Sequence, residues 1–105
     1  MIERDIERHL VKRVKALGGE VRKVQWIGRR GAPDRLVMLP RRPVTEREEG
    51  SVYRYMAGPR CVWVELKAPG KKAEAHQRRE HERMRAMGQR VAVIDSIEGV
   101  EELLS

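Results

Sequence analysis

"GAPDRLVML", residues 31–39, places a carboxylate, Asp34, at the mouth of what otherwise reads as a buried strand. Further along, "VWVELKAPG", residues 62–70, sets Glu65 and Lys67 inside an apolar run. Side chains alternate along a strand, so Glu65 and Lys67 share one face with Cys61 and Trp63. Val62, Val64 and Leu66 share the other. The stretch "DRLVMLP" is apolar on both faces, as in a central strand, and stops at Pro40. Antiparallel pairing of these two strands would set Asp34 beside Glu65. Two carboxylates so close repel each other and carry a desolvation cost unless a cation lies between them.

Working outward, residues 2–17 read as an amphipathic helix, with Ile2, Ile6, Leu10, Val14 and Leu17 at helical spacing and Gly18-Gly19 ending it. "EVRKVQWI" (20–27) reads as a strand with imperfect alternation, and "GRRGAP" as a turn. Residues 41–59 differ in character, with two prolines, two glycines, mixed charge and "SVYRYM"; they read as an extended hairpin or flap inserted between core strands. After "RCVWVELKA" (60–68) comes a basic loop, "PGKK". A second helix (73–88) is closed by Gly88, and "RVAVID" is a last buried strand. A terminal helix, "SIEGVEELL", has Ser96 as its cap. The order α-β-β-β-α-β-α predicts an α/β fold, a central mixed β-sheet flanked by helices, in a single domain over 1–105.

Hydrophobic residues are 40% and charged residues 37% of the chain, which predicts a globular protein with a heavily charged exterior. The net charge of +7 points to a polyanion partner, nucleic acid first. The single cysteine, Cys61, excludes an intrachain disulfide and fits a reducing, cytoplasmic setting; its apolar neighbours suggest a buried thiol rather than a nucleophile. No apolar run approaches a membrane span, and the start "MIERDIERHL" is too acidic for a signal peptide. His9, His76 and His81 lack zinc-ligand spacing with the lone cysteine. No Ser-His-Asp or Cys-His arrangement stands out, "GRRG" is too short to cradle phosphate, and no small-molecule cofactor is implied. With four aromatics in all, stacking on single strands is not an evident strategy, so Trp26 and Trp63 read as core.

The carboxylate pair is hard-oxygen chemistry, suited to Mg²⁺ or Mn²⁺. Such ions take one or two protein carboxylates and keep room for water and phosphate. The backbone carbonyl of Leu66 offers a further ligand. Beside a cation, Lys67 either loses its proton and accepts one from water, or stays charged and stabilises an anionic transition state. On a helical wheel Glu3 falls within the apolar stripe of the first helix and Glu7 beyond its edge. Glu3 is therefore a candidate metal ligand, or a first-turn acid favoured by the helix dipole. On the second helix Gln77 shares a face with Met84 and Met87, either to steady a metal-bound water or phosphate or to cap a sheet edge. Arg29, Arg30 and Arg35 flank Asp34, and Lys71 and Lys72 follow Lys67, placing five candidate phosphate contacts around the pair. Arg78, Arg79, Arg83 and Arg85 read as a solvated helix face, interleaved with Glu80 and Glu82.

"GAPD" followed by "VELK", with an acidic helix before and Gln77 on the helix after, resembles the PD-(D/E)XK nuclease superfamily. More narrowly it looks like the virus-type replication-repair nuclease domain (VRR-NUC) of small stand-alone phage proteins. The resemblance runs from Glu3 through Gln77 to "VAVIDSIEGV". It implies a metal-dependent DNA endonuclease with Asp34 and Glu65 as metal ligands, Lys67 as the catalytic lysine, Glu3 as the helix acid and Gln77 as the motif glutamine. Stand-alone members are similar to Holliday-junction resolvases in acting as dimers on branched DNA, which implies a homodimer here. The stretch 41–59 departs from the pattern, being longer than a tight hairpin between the two motif strands. Two rival readings are a non-catalytic basic nucleic-acid-binding module, its acids salt-bridged for structure, and an interaction subunit of a replication or repair complex that docks through 41–59.

Overall fold

A computed structural model describes all 105 residues. Helix α1 (Glu3–Ala16) leads into strand β1 (Glu20–Lys23) and strand β2 (Arg35–Leu39). Then come β3 (Pro43–Glu48), β4 (Ser51–Met56) and β5 (Arg60–Leu66). Helix α2 (Ala75–Ala86), strand β6 (Val91–Ile94) and helix α3 (Ile97–Leu104) complete the chain. Four strands form one sheet in the order β1-β2-β5-β6, while β3 and β4 pair only with each other. The β1–β2 and β2–β5 pairs are antiparallel and β5–β6 is parallel, so the central sheet is mixed as the sequence predicts.

The register follows the alternation in the sequence. Val37 pairs with Val62 and Arg35 with Val64. Val62, Val64 and Leu66 are buried on one face together with Val37, Ile94, Ile6, Leu10 and Val14 of α1, and Val100 and Leu104 of α3. Truncating a side chain as fully enclosed as Leu10 to alanine costs about 3 kcal/mol. The α1 stripe is shorter than its spacing suggests: Ile2 is 58% exposed and Leu17 40%. Both lie just outside the helix, as its N-cap and C-cap residues. The backbone N–H of Ile2 donates to Asp5 Oδ2 (2.8 Å), and Ser96 Oγ accepts from Gly99 N–H (2.9 Å) to cap α3 as expected.

The opposite face of the sheet is covered by α2, which lies against β6. Its buried residues are Glu80, His81 and Met84, whereas Met87, expected on that face, is 70% exposed at the C-cap. Cys61 is exposed rather than buried: it sits at the start of β5, while the contact of this face with α2 is at the far end, where His81 meets Glu65. Strand β1 ends at Lys23, four residues before the expected limit; one further bond of the same register, Val24 N–H to Asp34 O (2.9 Å), follows before the loop. Trp26 consequently leaves the core and pairs with half-buried Trp63 at 5.2 Å between ring centroids.

The β3–β4 hairpin forms a separate two-stranded sheet on a molecule measuring 51 × 30 × 22 Å. Val52, Tyr53, Tyr55 and Met56 are all exposed on it. Its base is tied by the Arg41 guanidinium, which donates to the carbonyls of Ala57 and Met56, and by Ala57 N–H donating to Arg42 O (2.7 Å). No helix is long and apolar enough to cross a membrane.

Candidate active site

The β2–β5 ladder runs as far as Arg35 opposite Val64, so one step beyond it Asp34 faces Glu65. The "GAPD" turn holds this end of β2 in place. Gly31 has φ +86°, in the left-handed region, and a Cβ there would lie 2.9 Å from the backbone oxygen of His76, so only glycine fits. Pro33 is fully buried behind the carboxylate. Asp34 itself is half-exposed, and one oxygen forms an ion pair with Arg35 Nη1 at 2.9 Å.

Glu65 lies deeper, its side chain 12% exposed. Its carboxyl is pushed up to about 7, by burial first and then by the charges of Asp34 and Glu3, with Lys67 and Arg35 pulling the other way. Those contributions show that Glu3, Asp34, Glu65, Lys67 and Arg35 occupy one electrostatic neighbourhood. Glu65 Oε1 is buried and accepts no hydrogen bond. No three His, Cys, Asp or Glu side chains close into a ready-made cage. A hard cation does not need one, since two carboxylates, a backbone carbonyl and solvent oxygens suffice for Mg²⁺. An unpartnered buried carboxylate oxygen next to a second carboxylate fits such an ion.

The helix acids are disposed differently from the wheel. Glu3 is exposed on the first turn, and it is Glu7 that is half-buried, its Oε2 accepting from Arg35 Nη2 at 3.1 Å. Arg35 is therefore a largely enclosed strut between α1 and the site rather than an open surface charge. Burial works against its charge, but Asp34 and Glu7 outweigh that and hold the guanidinium firmly protonated. Arg29 is similarly committed, donating through Nε and Nη2 to Glu80 at 2.7 and 2.9 Å, where Glu80 is 3% exposed. These bonds hold the Glu80 carboxyl below the usual range, with Arg83 assisting. Arg30, Lys71 and Lys72 stand exposed. Lys71 and Lys72 line a concavity of about 800 Å³ with Arg78, Arg79 and Arg83, and His81 forms part of its wall. Gln77 Oε1 accepts from Glu74 N–H at 2.8 Å, which caps α2.

His81 and Glu80 are the side chains of the site that the sequence left unassigned. His81 is 1% exposed, and its Nε2 lies 3.5 Å from Glu65 Oε1. Burial, then the charge of Arg85, lowers its pKa and favours the neutral ring. Its signal was positional, since Gln77, His81 and Met84 repeat at four and three residues and share one helix face. Glu80 gave no such signal, because its partner Arg29 lies on a loop far away in sequence.

A mixed sheet presenting an opposed aspartate and glutamate, with a lysine two residues on, defines the PD-(D/E)XK class of nuclease folds. No family model matches the chain. A solved structure described as "VRR_NUC domain" superposes with a TM-score of 0.71 at 37% sequence identity, covering 97% of this chain and 92% of its own. A protein of Acyrthosiphon pisum secondary endosymbiont phage 1 named "Putative nuclease p44" is 42% identical over 94 residues, 90% of this chain and 83% of that protein. The chain belongs to the VRR-NUC family.

Proposed function

We propose that the protein is a divalent-metal-dependent DNA endonuclease that cuts phosphodiester bonds, selectively in branched DNA, as a homodimer. The observation that carries the reading is the buried, unpartnered Glu65 Oε1 facing Asp34 across the β2–β5 ladder. Asp34 and Glu65 would hold Mg²⁺ or Mn²⁺, joined by the Leu66 carbonyl and, from the helix, Glu3. When bound, the ion neutralises the pair and stabilises the charge that gathers on the attacked phosphate. Lys67 orients the attacking water or takes its proton. Gln77, with its oxygen committed to the helix cap, offers its amide N–H groups to phosphate or water. Exposed Arg30, Lys71 and Lys72 grip the DNA backbone without reading its sequence, while Arg29 and Arg35 act by fixing Glu80, Asp34 and Glu7. The relative named a nuclease supports hydrolysis as the reaction class. Branch selectivity and a dimer follow from the family's stand-alone members, since paired cuts need two symmetric sites.

The binding-module rival requires both acids to be salt-bridged for structure. Asp34 meets that condition through Arg35, but Glu65 does not, and a stranded buried carboxylate is a cost with no structural return.

The test incubates purified protein with labelled four-way junction, flap, duplex and single-stranded DNA in Mg²⁺, Mn²⁺ or EDTA. Asp34→Asn and Lys67→Ala variants run alongside. Metal-dependent cleavage lost in both folded variants supports the nuclease, and paired symmetric nicks on the junction support branch selectivity. Salt-sensitive binding without cleavage in any metal would leave only the binding module.

A further inference from the structure

Beside Asp34 lies a second concavity of about 690 Å³, lined by Lys23, Val24, Gln25, Trp26, Ala32 and Asp34 itself. Its aromatic wall is unusual for this protein. Trp26 is 36% exposed, in a chain with four aromatic residues in all. A lone exposed indole needs no explanation, but this one is held in place from two directions. Its Nε1 donates to the carbonyl of Pro33, the residue before Asp34, at 2.8 Å. Its ring rests on Trp63 at 5.2 Å and a 50° tilt. The backbone beside it is clamped to Asp34 by the Val24 N–H bond. The indole is thus fixed relative to the carboxylate it stands next to, and a rigid aromatic surface loses little entropy when something stacks on it.

We propose that this pocket receives an unpaired nucleobase from the strand being cut, stacked on Trp26, with Lys23 on the adjoining phosphate and the Gln25 amide on the base edge. The inference rests on the nuclease reading above and deepens it by naming what the site recognises. Every base has a π-face, so stacking on an indole selects unpaired over paired nucleotides without selecting sequence. In an intact duplex the bases are already stacked on each other and unpairing costs several kcal/mol. At a branch or flap, where a base is already free, that cost is absent. Pinning Trp26 to the residue before Asp34 sets the distance between the stacked base and the cut, so the geometry favours cleavage next to an unpaired nucleotide.

The test uses Trp63→Phe protein, whose only indole is Trp26, titrated with short oligodeoxythymidine in EDTA while anisotropy of a labelled oligonucleotide reports binding independently. Saturable quenching of Trp26 emission in step with binding is the expected result. Trp26→Leu is expected to weaken oligonucleotide binding by on the order of 10-fold and to lower the ratio of flap to blunt-duplex cleavage, with Trp26→Phe retaining most of both. Binding at saturation with unchanged Trp26 emission, or a Trp26→Leu protein with the wild-type cleavage ratio, overturns the base site. Metal-dependent cleavage by the wild type is followed in parallel. Cleavage without quenching overturns this inference alone, quenching without cleavage keeps the base site and removes the nuclease, and neither binding nor cleavage overturns both.

Discussion

His81 Nε2 lies 3.5 Å from Glu65 Oε1, and neither atom has a hydrogen-bond partner. The distance is too long for a good hydrogen bond but short enough to become one with a small movement of the carboxylate. A neutral imidazole carrying its proton on Nε2 would then donate to one lone pair of Oε1, steadying the carboxylate and leaving that oxygen's other lone pair for a cation. Groups that orient a ligand in this way typically cost about 10–100-fold in metal affinity or activity when removed. His81→Ala is expected to fall in that range in a Mn²⁺ titration read by calorimetry, while Asp34→Asn loses binding altogether. Wild-type Mn²⁺ affinity in a folded His81→Ala protein would leave His81 as packing only.

The raised Glu65 pKa makes the metal-free protein pH-sensitive. In the unfolded chain the group titrates near 4.5, and in the fold near 7. The fold therefore prefers the protonated form, so this contribution is complete below pH 4.5 and is lost as pH rises through 7. The loss is on the order of 3 kcal/mol if the whole shift is expressed. Urea unfolding in EDTA at pH 5 and pH 8 should show it, and Glu65→Gln should abolish the difference. Cation binding needs the carboxylate, so apparent metal affinity should fall about tenfold per pH unit below 7. A flat affinity between pH 5.5 and 7 would remove Glu65 from the ligand set.

The five basic residues around the carboxylates divide into two classes by their partners. Arg29 and Arg35 are bound to Glu80, Asp34 and Glu7, whereas the side chains of Arg30, Lys71 and Lys72 pair with no acid. Each phosphate contact removed should reduce the slope of log affinity against log salt by about 1. Lys71→Ala and Lys72→Ala should each show that reduction with an unchanged melting temperature. Arg29→Ala should do the reverse, lowering the melting temperature and leaving the slope alone.

That division shows where the sequence was readable. The pairing of Asp34 with Glu65 followed from strand alternation and one antiparallel register, both local rules. The two faces of β5 were equally legible, because a period of two survives in any sheet. The roles of Arg29 and Arg35 were not, because each depends on a carboxylate from a distant element, and surface arginines look alike until a partner is located. Glu3 is exposed and Glu7 half-buried for a related reason. The wheel ranks residues by angle, but the Arg35 guanidinium, arriving from β2, drew Glu7 inward. Trp26 lies outside the core because its strand ends at Lys23, and no residue between them marks that end as strongly as Gly28 marks the next turn.

Gly31 offers a test of the local geometry independent of chemistry. A Cβ at this position would be strained by its positive φ and would press on the His76 carbonyl at 2.9 Å. Gly31→Ala is expected to destabilise the fold by roughly 1–2 kcal/mol from the backbone conformation alone. Because the turn carries Asp34, cleavage should fall by more than the loss of folded protein accounts for. Equal losses in folded fraction and in rate would mean the turn supports the fold without positioning the carboxylate.

The β3–β4 hairpin can be removed without opening the sheet. Arg42 and Ala57 are already hydrogen-bonded at its base, so an Asn-Gly turn in place of residues 43–56 closes the gap with the geometry such two-residue loops favour. An isolated two-stranded hairpin is marginal in water, and this one leaves Val52, Tyr53, Tyr55 and Met56 exposed, so it contributes little burial to the fold it is attached to. The excised protein should melt within a few degrees of the wild type and keep metal-dependent cleavage, since Asp34, Glu65 and Lys67 lie outside the segment. On the proposed dimeric, branch-selective reading, what should change is self-association in sedimentation and discrimination between junction and duplex. A hairpin-free protein that keeps its molecular mass in solution and its junction preference would show that neither dimer nor branch recognition uses this arm. Wholesale unfolding would show that the hairpin stabilises the sheet it flanks.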